Sequence, residues 1–132
     1  MPPEPPQPFP EGLERIREAA GHHLVLLALL ARADADESEV ERQVIVEHCL
    51  NFAHRAGAAP SAPQREMLVA YVREFHPSLM QLDPALKKLA HDSKDDIAAL
   101  LAAAQAVVDA DGVRRPAEVK FLAELQQDLA RL

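Results

Sequence analysis

Hydrophobic residues recur along most of the chain at spacings of three and four, which is typical of α-helices with one buried face. The clearest stripe comprises Ile97, Leu100, Leu101, Ala104, Val107 and Val108. Proline, glycine and capping residues divide the pattern into helices over roughly 11–33, 38–56, 63–75, 84–91, 93–108 and 116–132. No segment has the alternation typical of a strand. The sequence therefore predicts an all-α fold, a single compact bundle of about six to seven helices.

Several predicted helices have compositions that indicate how they pack. Residues 24–31 are apolar on nearly every side, so this part of the first helix should be buried on most sides. Alanine occupies most positions outside the apolar stripe of 93–108, so neighbouring helices can approach it closely and we expect it at the centre. In two other helices the residues predicted to face inward are Val40, Val44, Ile45, Cys49 and Phe52, and Val119, Leu122, Leu125, Leu129 and Leu132.

The helical pattern is interrupted twice by the same kind of acidic turn. Ala-Asp-Ala-Asp at 33–36 follows the first helix, and Val-Asp-Ala-Asp-Gly at 108–112 follows the helix at 93–108. A glutamate then comes in the first turn of the next helix, Glu41 in one copy and Glu118 in the other. This repetition predicts an internal duplication of a helix–acidic turn–helix unit.

A turn rich in carboxylates, followed by an anchored glutamate, is an arrangement that hard cations such as Ca²⁺ favour. The second turn is nevertheless not a standard EF-hand, because Val107 stands at the first ligand position and Pro116 at the tenth. An interpretation without metal stays open. The aspartates then close turns, while Glu41 and Glu118 stabilise the positive ends of their helix dipoles.

Composition agrees with a helical binding protein. The chain has 132 residues, enough for one domain, and its 48% hydrophobic content is mostly Ala and Leu with only 4% aromatic residues. The net charge of −7 would repel a phosphate backbone, so nucleic acid is not an expected partner. Cys49 is alone, and the longest apolar run is far shorter than the roughly 20 residues of a membrane span. We expect a soluble cytoplasmic protein without membrane insertion.

Residues 1–10 hold six of the eleven prolines and are predicted to form a disordered tail, which leaves 11–132 as the helical domain. The tail contains PxxP spacings that fit an SH3-like groove. The same composition is typical of a simple linker, and both interpretations remain open.

Catalytic and zinc-binding motifs are missing from the sequence. His22 and His23 are adjacent and point to different helix faces, and His48 and His54 are six residues apart, so the histidines are predicted to be core or surface residues. No HExxH, CxxC or glycine-rich phosphate loop occurs, and Cys49 lies in the middle of a helix where a thiol is inert. We do not expect an enzyme.

Taken together, the acidic repeats resemble those of the TerB-like family, helical domains named for bacterial tellurite-resistance clusters. The segments that carry the resemblance are 29–36, 38–41, 106–112, 116–118 and 121–122, within a match over roughly 20–132. The resemblance implies a bundle of two related halves that binds divalent cations and acts in bacterial stress responses, often beside membrane-associated protein partners.

By position, the resemblance implies a metal-ligand set in each half. The ligands are Asp34, Asp36 and Glu41 in the first half, and Asp109, Asp111 and Glu118 in the second. Glu37 replaces the usual turn glycine, and Arg114-Arg115 places positive charge beside the second turn. The predicted function is a non-enzymatic module that binds Ca²⁺ or Mg²⁺ and contacts a protein partner. The alternative is a structural adaptor without metal that recruits through its tail or an apolar groove.

Overall fold

The computed structural model describes residues 13–33, 38–58, 60–110, 112 and 116–131. These residues form six α-helices and one short 3₁₀ turn. The helices are α1 (Glu14–Ala31), α2 (Glu39–Arg55), α3 (Ala62–Glu74), α4 (Leu82–Leu89), α5 (Lys94–Asp109) and α6 (Pro116–Ala130), and the 3₁₀ turn Leu79–Gln81 precedes α4. No strand occurs within the described ranges, so the predicted all-α class is confirmed. The proline-rich tail lies outside the described residues.

Serine side chains set the starts of three helices. The hydroxyl of Ser38 accepts a hydrogen bond from the backbone N–H of Glu41, and the Glu41 carboxylate accepts one from the N–H of Ser38. Ser61 and Gln64 form the same reciprocal box at α3. Ser93 accepts from the N–H of Asp96 at α5. These caps satisfy amides that a helix start otherwise leaves without partners, so the helix starts are determined locally.

Helix α1 lies at the centre of the bundle and packs against α2, α4, α5 and α6. Eleven of its 18 residues are buried, as the apolar run at 24–31 predicted. The prediction that the helix at 93–108 is central is wrong, because only Leu100, Ala104, Val107 and Val108 of α5 are buried and several of its alanines face outward. Alanine permits close packing without requiring it, since its burial removes little apolar area from water.

Most of the residues predicted to face inward do so. Ile45, Cys49 and Phe52 of α2 are buried, as are Leu122, Leu125 and Leu129 of α6, and Val44 is half-buried, while Leu132 lies outside the described residues. Two valines do not follow the prediction. Val40 is 45% exposed and Val119 is 41% exposed. None of the described helices is long and apolar enough to cross a membrane.

Candidate metal centres

The predicted acidic corners are described only in part. Asp34, Asp36 and Asp111 lie outside the described residues, whereas Glu41, Asp109 and Glu118 lie within them. The geometry available therefore concerns the glutamate that follows each corner and the aspartate that ends α5.

Glu41 and Glu118 occupy equivalent positions and are equally buried. Glu41 is the third residue of α2 and Glu118 the third of α6, and each is only 1% exposed. The valine beside each glutamate, Val40 or Val119, points outward instead. The usual distribution, with apolar side chains inside and carboxylates outside, is thus reversed in the first turn of both α2 and α6.

One oxygen of the Glu41 carboxylate serves the helix cap and the other does not. Oε1 accepts the hydrogen bond from Ser38 at 3.2 Å. Oε2 is buried, and none of the described residues donates a hydrogen bond to it. A buried carboxylate oxygen without a hydrogen-bond donor is costly, so this oxygen is suited to a cation.

Asp109 differs from the two glutamates because it is exposed at the end of α5. Its Oδ2 accepts a hydrogen bond from the Gln105 amide one turn earlier, at 3.0 Å. The N–H of Gly112 donates to the carbonyl of Asp109 at 3.0 Å, and Gly112 has a φ of 75° that favours glycine. The backbone therefore turns tightly immediately after Asp109.

A second group of potential ligands joins α1 to the turn between α4 and α5. His22 and His23 are neighbours on α1, and Asp92 lies in the turn. Nε2 of His22 is 2.8 Å from Oδ2 of Asp92, and Nε2 of His23 is 2.7 Å from the same oxygen. Their three ligand atoms lie within 4.8 Å of one another. The two imidazole side chains are almost fully buried and the carboxylate is 13% exposed.

His48 of α2 extends this group by one more ring. Its Nε2 lies 2.9 Å from Nδ1 of His23, and the two rings stack with centroids 5.1 Å apart. Phe52, one turn further along α2, packs against the ring of His23 at 4.2 Å between centroids. We call His22, His23, His48 and Asp92 the His–Asp cluster.

Burial determines the charge state of two of these imidazoles. Desolvation, together with the neighbouring His23, lowers the pKa of His48 to about 4. Desolvation also lowers the pKa of His23, although the hydrogen bond to Asp92 opposes this shift. Both rings are therefore neutral at pH 7, the form in which histidine binds metals.

The His–Asp cluster was not found by sequence analysis. Adjacent side chains on a helix point to different faces, so they do not bind one ion on a single face. A carboxylate on another element can still contact both, and one oxygen of Asp92 reaches both rings from 69 and 70 residues away. Burial of His22, His23 and His48 agrees with the prediction of core histidines, while His54, His76 and His91 are exposed. Nothing in the spacing of these residues indicates the cluster.

Comparisons with known proteins add no identification. No protein-family model, no curated protein and no solved structure matches the chain.

Proposed function

We propose that this protein is a non-enzymatic, TerB-like helical module that binds divalent cations of the Ca²⁺ or Mg²⁺ type at its two acidic corners. The observation that supports this most is the reversed burial in both halves. Glu41 and Glu118 are each 1% exposed, while the neighbouring Val40 and Val119 are more than two-fifths exposed. Capping alone does not require burial, since Gln64 makes the same reciprocal box on α3 and is half-buried.

The physical argument concerns the cost of burying a carboxylate. Desolvating an ionised carboxylate is unfavourable unless hydrogen bonds or a positive charge compensate for it. A hard cation supplies the charge and accepts the oxygen as a ligand. At the first corner Oε2 of Glu41 is the oxygen suited to this role, and the predicted co-ligands Asp34 and Asp36 precede it in the chain.

Cation binding at these positions would couple two helices of the bundle. Asp109 ends α5 and Glu118 begins α6, so an ion held by both would restrain the angle between these helices. The first corner would restrain α1 and α2 in the same way. A surface formed by either pair would then present a cation-dependent shape to a protein partner. By the resemblance described above, we place that partner in a bacterial stress-response or membrane-associated complex.

Calorimetric titration with Ca²⁺, Mg²⁺ and Mn²⁺ tests the proposal. We expect saturable binding to the wild type, weaker binding to Glu41→Gln, and loss of the second site in the double variant Asp109→Asn/Asp111→Asn. Glu124→Gln is the matched control, because it removes one negative charge from an exposed position of α6. Identical heats for all four proteins would reject the proposal.

The alternative is a structural adaptor without metal. Leu79 and Met80 favour it, because these adjacent apolar side chains are 71% and 87% exposed on the 3₁₀ turn before α4. Thermal unfolding with and without a chelator separates the two functions. A cation that binds only the folded state raises the midpoint, whereas an adaptor without metal has the same midpoint in both conditions.

A further inference from the structure

We propose that the His–Asp cluster is a further metal site, selective for a borderline divalent transition-metal ion such as Zn²⁺ and distinct from the two acidic corners. Its ligands are Nε2 of His22, Nε2 of His23 and a carboxylate oxygen of Asp92. Imidazole nitrogen with one carboxylate suits Zn²⁺ and its neighbours, whereas Ca²⁺ and Mg²⁺ prefer oxygen alone.

Convergence of the three ligand atoms is the first argument. Both Nε2 atoms lie within 2.8 Å of one carboxylate oxygen. In a tetrahedral Zn²⁺ site with bonds of about 2.0–2.1 Å, ligand atoms are separated by about 3.4 Å. An ion would therefore need each nitrogen to move away from this oxygen by about 0.6–0.7 Å, a small side-chain adjustment. Asp92 lies in a turn and is partly exposed, so it is the ligand best able to adjust.

The second argument is that His48 supplies the outer partner that a metal-binding histidine needs. A ligating imidazole carries its proton on the other ring nitrogen, which is usually hydrogen-bonded to a fixed acceptor. With Nε2 of His23 on the ion, Nδ1–H of His23 donates to Nε2 of His48, which lies 2.9 Å away. Without an ion, Nε2–H of His23 donates to Asp92 and the bond to His48 reverses its direction. The His23–His48 hydrogen bond can therefore form both with and without a bound ion.

Protons balance in this exchange when each ligand ring moves its proton from Nε2 to Nδ1 and the ion takes the vacated Nε2. His48 moves its own proton from Nε2 to Nδ1 at the same time, so that its Nε2 can accept from Nδ1–H of His23. Nδ1 of His22 is buried and has no hydrogen-bond partner among the described residues. A proton on this nitrogen is therefore less well accommodated than the one on Nδ1 of His23, which His48 accepts.

The environment leaves one coordination position for a small ligand. His22 and His23 are almost fully buried, whereas Asp92 is 13% exposed, so the carboxylate is the part of the site that solvent reaches. Three protein ligands with an open fourth position then hold an ion that carries one water molecule. Such an ion would tie α1, the central helix, to the corner between α4 and α5.

Co²⁺ absorption and Zn²⁺ calorimetry on the untagged protein test this site. All six histidines and the single cysteine lie within the described residues, so the position of every alternative histidine or cysteine ligand is known. We expect one ion per chain, with the intense visible absorption of tetrahedral Co²⁺. His22→Gln, His23→Gln and Asp92→Asn should each weaken binding at least about 10-fold, whereas the exposed control His54→Gln should leave it unchanged.

His48 is a positioning residue in this proposal, and its variants have a distinct pattern. His48→Leu should weaken Zn²⁺ binding about 10–100-fold. His48→Gln should retain most of the affinity, because the amide oxygen can still accept from Nδ1–H of His23. Nitrogen NMR of the wild type should show the His23 proton moving from Nε2 to Nδ1 when Zn²⁺ is added.

The outcomes that overturn the proposal are specific. If the folded wild type shows no saturable Zn²⁺ binding, the cluster is held by hydrogen bonds alone and is not a metal site. Weak absorption typical of octahedral Co²⁺ would indicate that the ion binds only at the protein surface. If His23→Gln fails to fold, the Zn²⁺ affinities of His22→Gln and Asp92→Asn test the site instead. Wild-type Zn²⁺ affinity in both variants would reject the site. Asp109→Asn/Asp111→Asn should leave Zn²⁺ binding intact and Asp92→Asn should leave Ca²⁺ binding intact, so the His–Asp cluster and the acidic corners fail or succeed separately.

Discussion

Nδ1 of His23 lies 2.9 Å from Nε2 of His48, although the two residues belong to different helices and are 25 positions apart. Both rings are buried, and their stacking joins α1 to α2 in the interior of the bundle. A neutral pair shares one proton between the facing nitrogens, and a second proton there would place two like charges in contact. This relationship makes the folded protein sensitive to acid.

Unfolding in buffers of decreasing pH, with chelator present, should show this sensitivity. In the unfolded chain His48 takes up a proton near pH 6.5, whereas in the folded protein its pKa is about 4. The unfolded state therefore binds more protons between these values. Stability is full above pH 6.5 and falls by on the order of 3 kcal/mol as the pH approaches 4. Arg55 and His23 reinforce this shift, and Asp96 opposes it.

His48→Gln isolates the contribution of this ring, because it removes the titration and keeps a hydrogen-bonding side chain. We expect the loss of stability between pH 6.5 and 4 to become shallower in His48→Gln and to remain unchanged in the exposed control His54→Gln. Denaturant titrations at each pH measure how steeply the free energy of unfolding falls with pH. An equal fall in wild type and His48→Gln would contradict the assignment of this acid sensitivity to His48.

The reversed burial at the acidic corners predicts that the valines there contribute little. Val40→Ala and Val119→Ala should change the free energy of unfolding by less than about 0.5 kcal/mol, because the lost contacts are few and alanine is the better helix former. The matched change Val72→Ala, at a position 1% exposed, should cost about 2 kcal/mol. Guanidinium titrations compare the three. A large loss at Val40 or Val119 would mean that these side chains are buried.

The peripheral position of α5 predicts opposite results for two alanines in this helix. Ala102 is exposed, so Ala102→Glu should alter stability by no more than about 0.5 kcal/mol. Ala104 is fully buried, and Ala104→Glu should cost several kcal/mol, about 3 or more, because it buries a carboxylate without a partner. Thermal and denaturant unfolding give both values. Equal, severe destabilisation by the two changes would show that α5 is buried on both sides and is a central helix.

The thiol of Cys49 is predicted to be unreactive in the folded state. Its side chain is 1% exposed, and burial raises the pKa of the thiol to about 12, so almost no thiolate forms at pH 8. A chromogenic disulfide reagent at pH 8 should react only after guanidinium is added. Ala98→Cys places a thiol on the exposed side of α5 and should react at once. Rapid reaction of the wild type would show that α2 opens readily.

The sequence by itself determined the features of the fold that depend on residues close together in the chain. Helix periodicity, serine caps such as Ser38 and Ser93, and breakers such as Gly57 act over a few residues, so the number, order and approximate bounds of the helices follow from the pattern. The repeated acidic corners are also visible in the sequence. Their complete geometry stays a prediction, because three of the six proposed ligands lie outside the described residues.

Only the tertiary structure decided which faces meet. Periodicity indicates that a helix has an apolar face but does not determine its partner, so the central place of α1 and the outward alanines of α5 were not predictable from spacing. The burial of Glu41 beside an exposed Val40 contradicts the local pattern in the same way. The His–Asp cluster depends most on packing, since Asp92 meets His22 and His23 only after α4 and α5 have folded against α1.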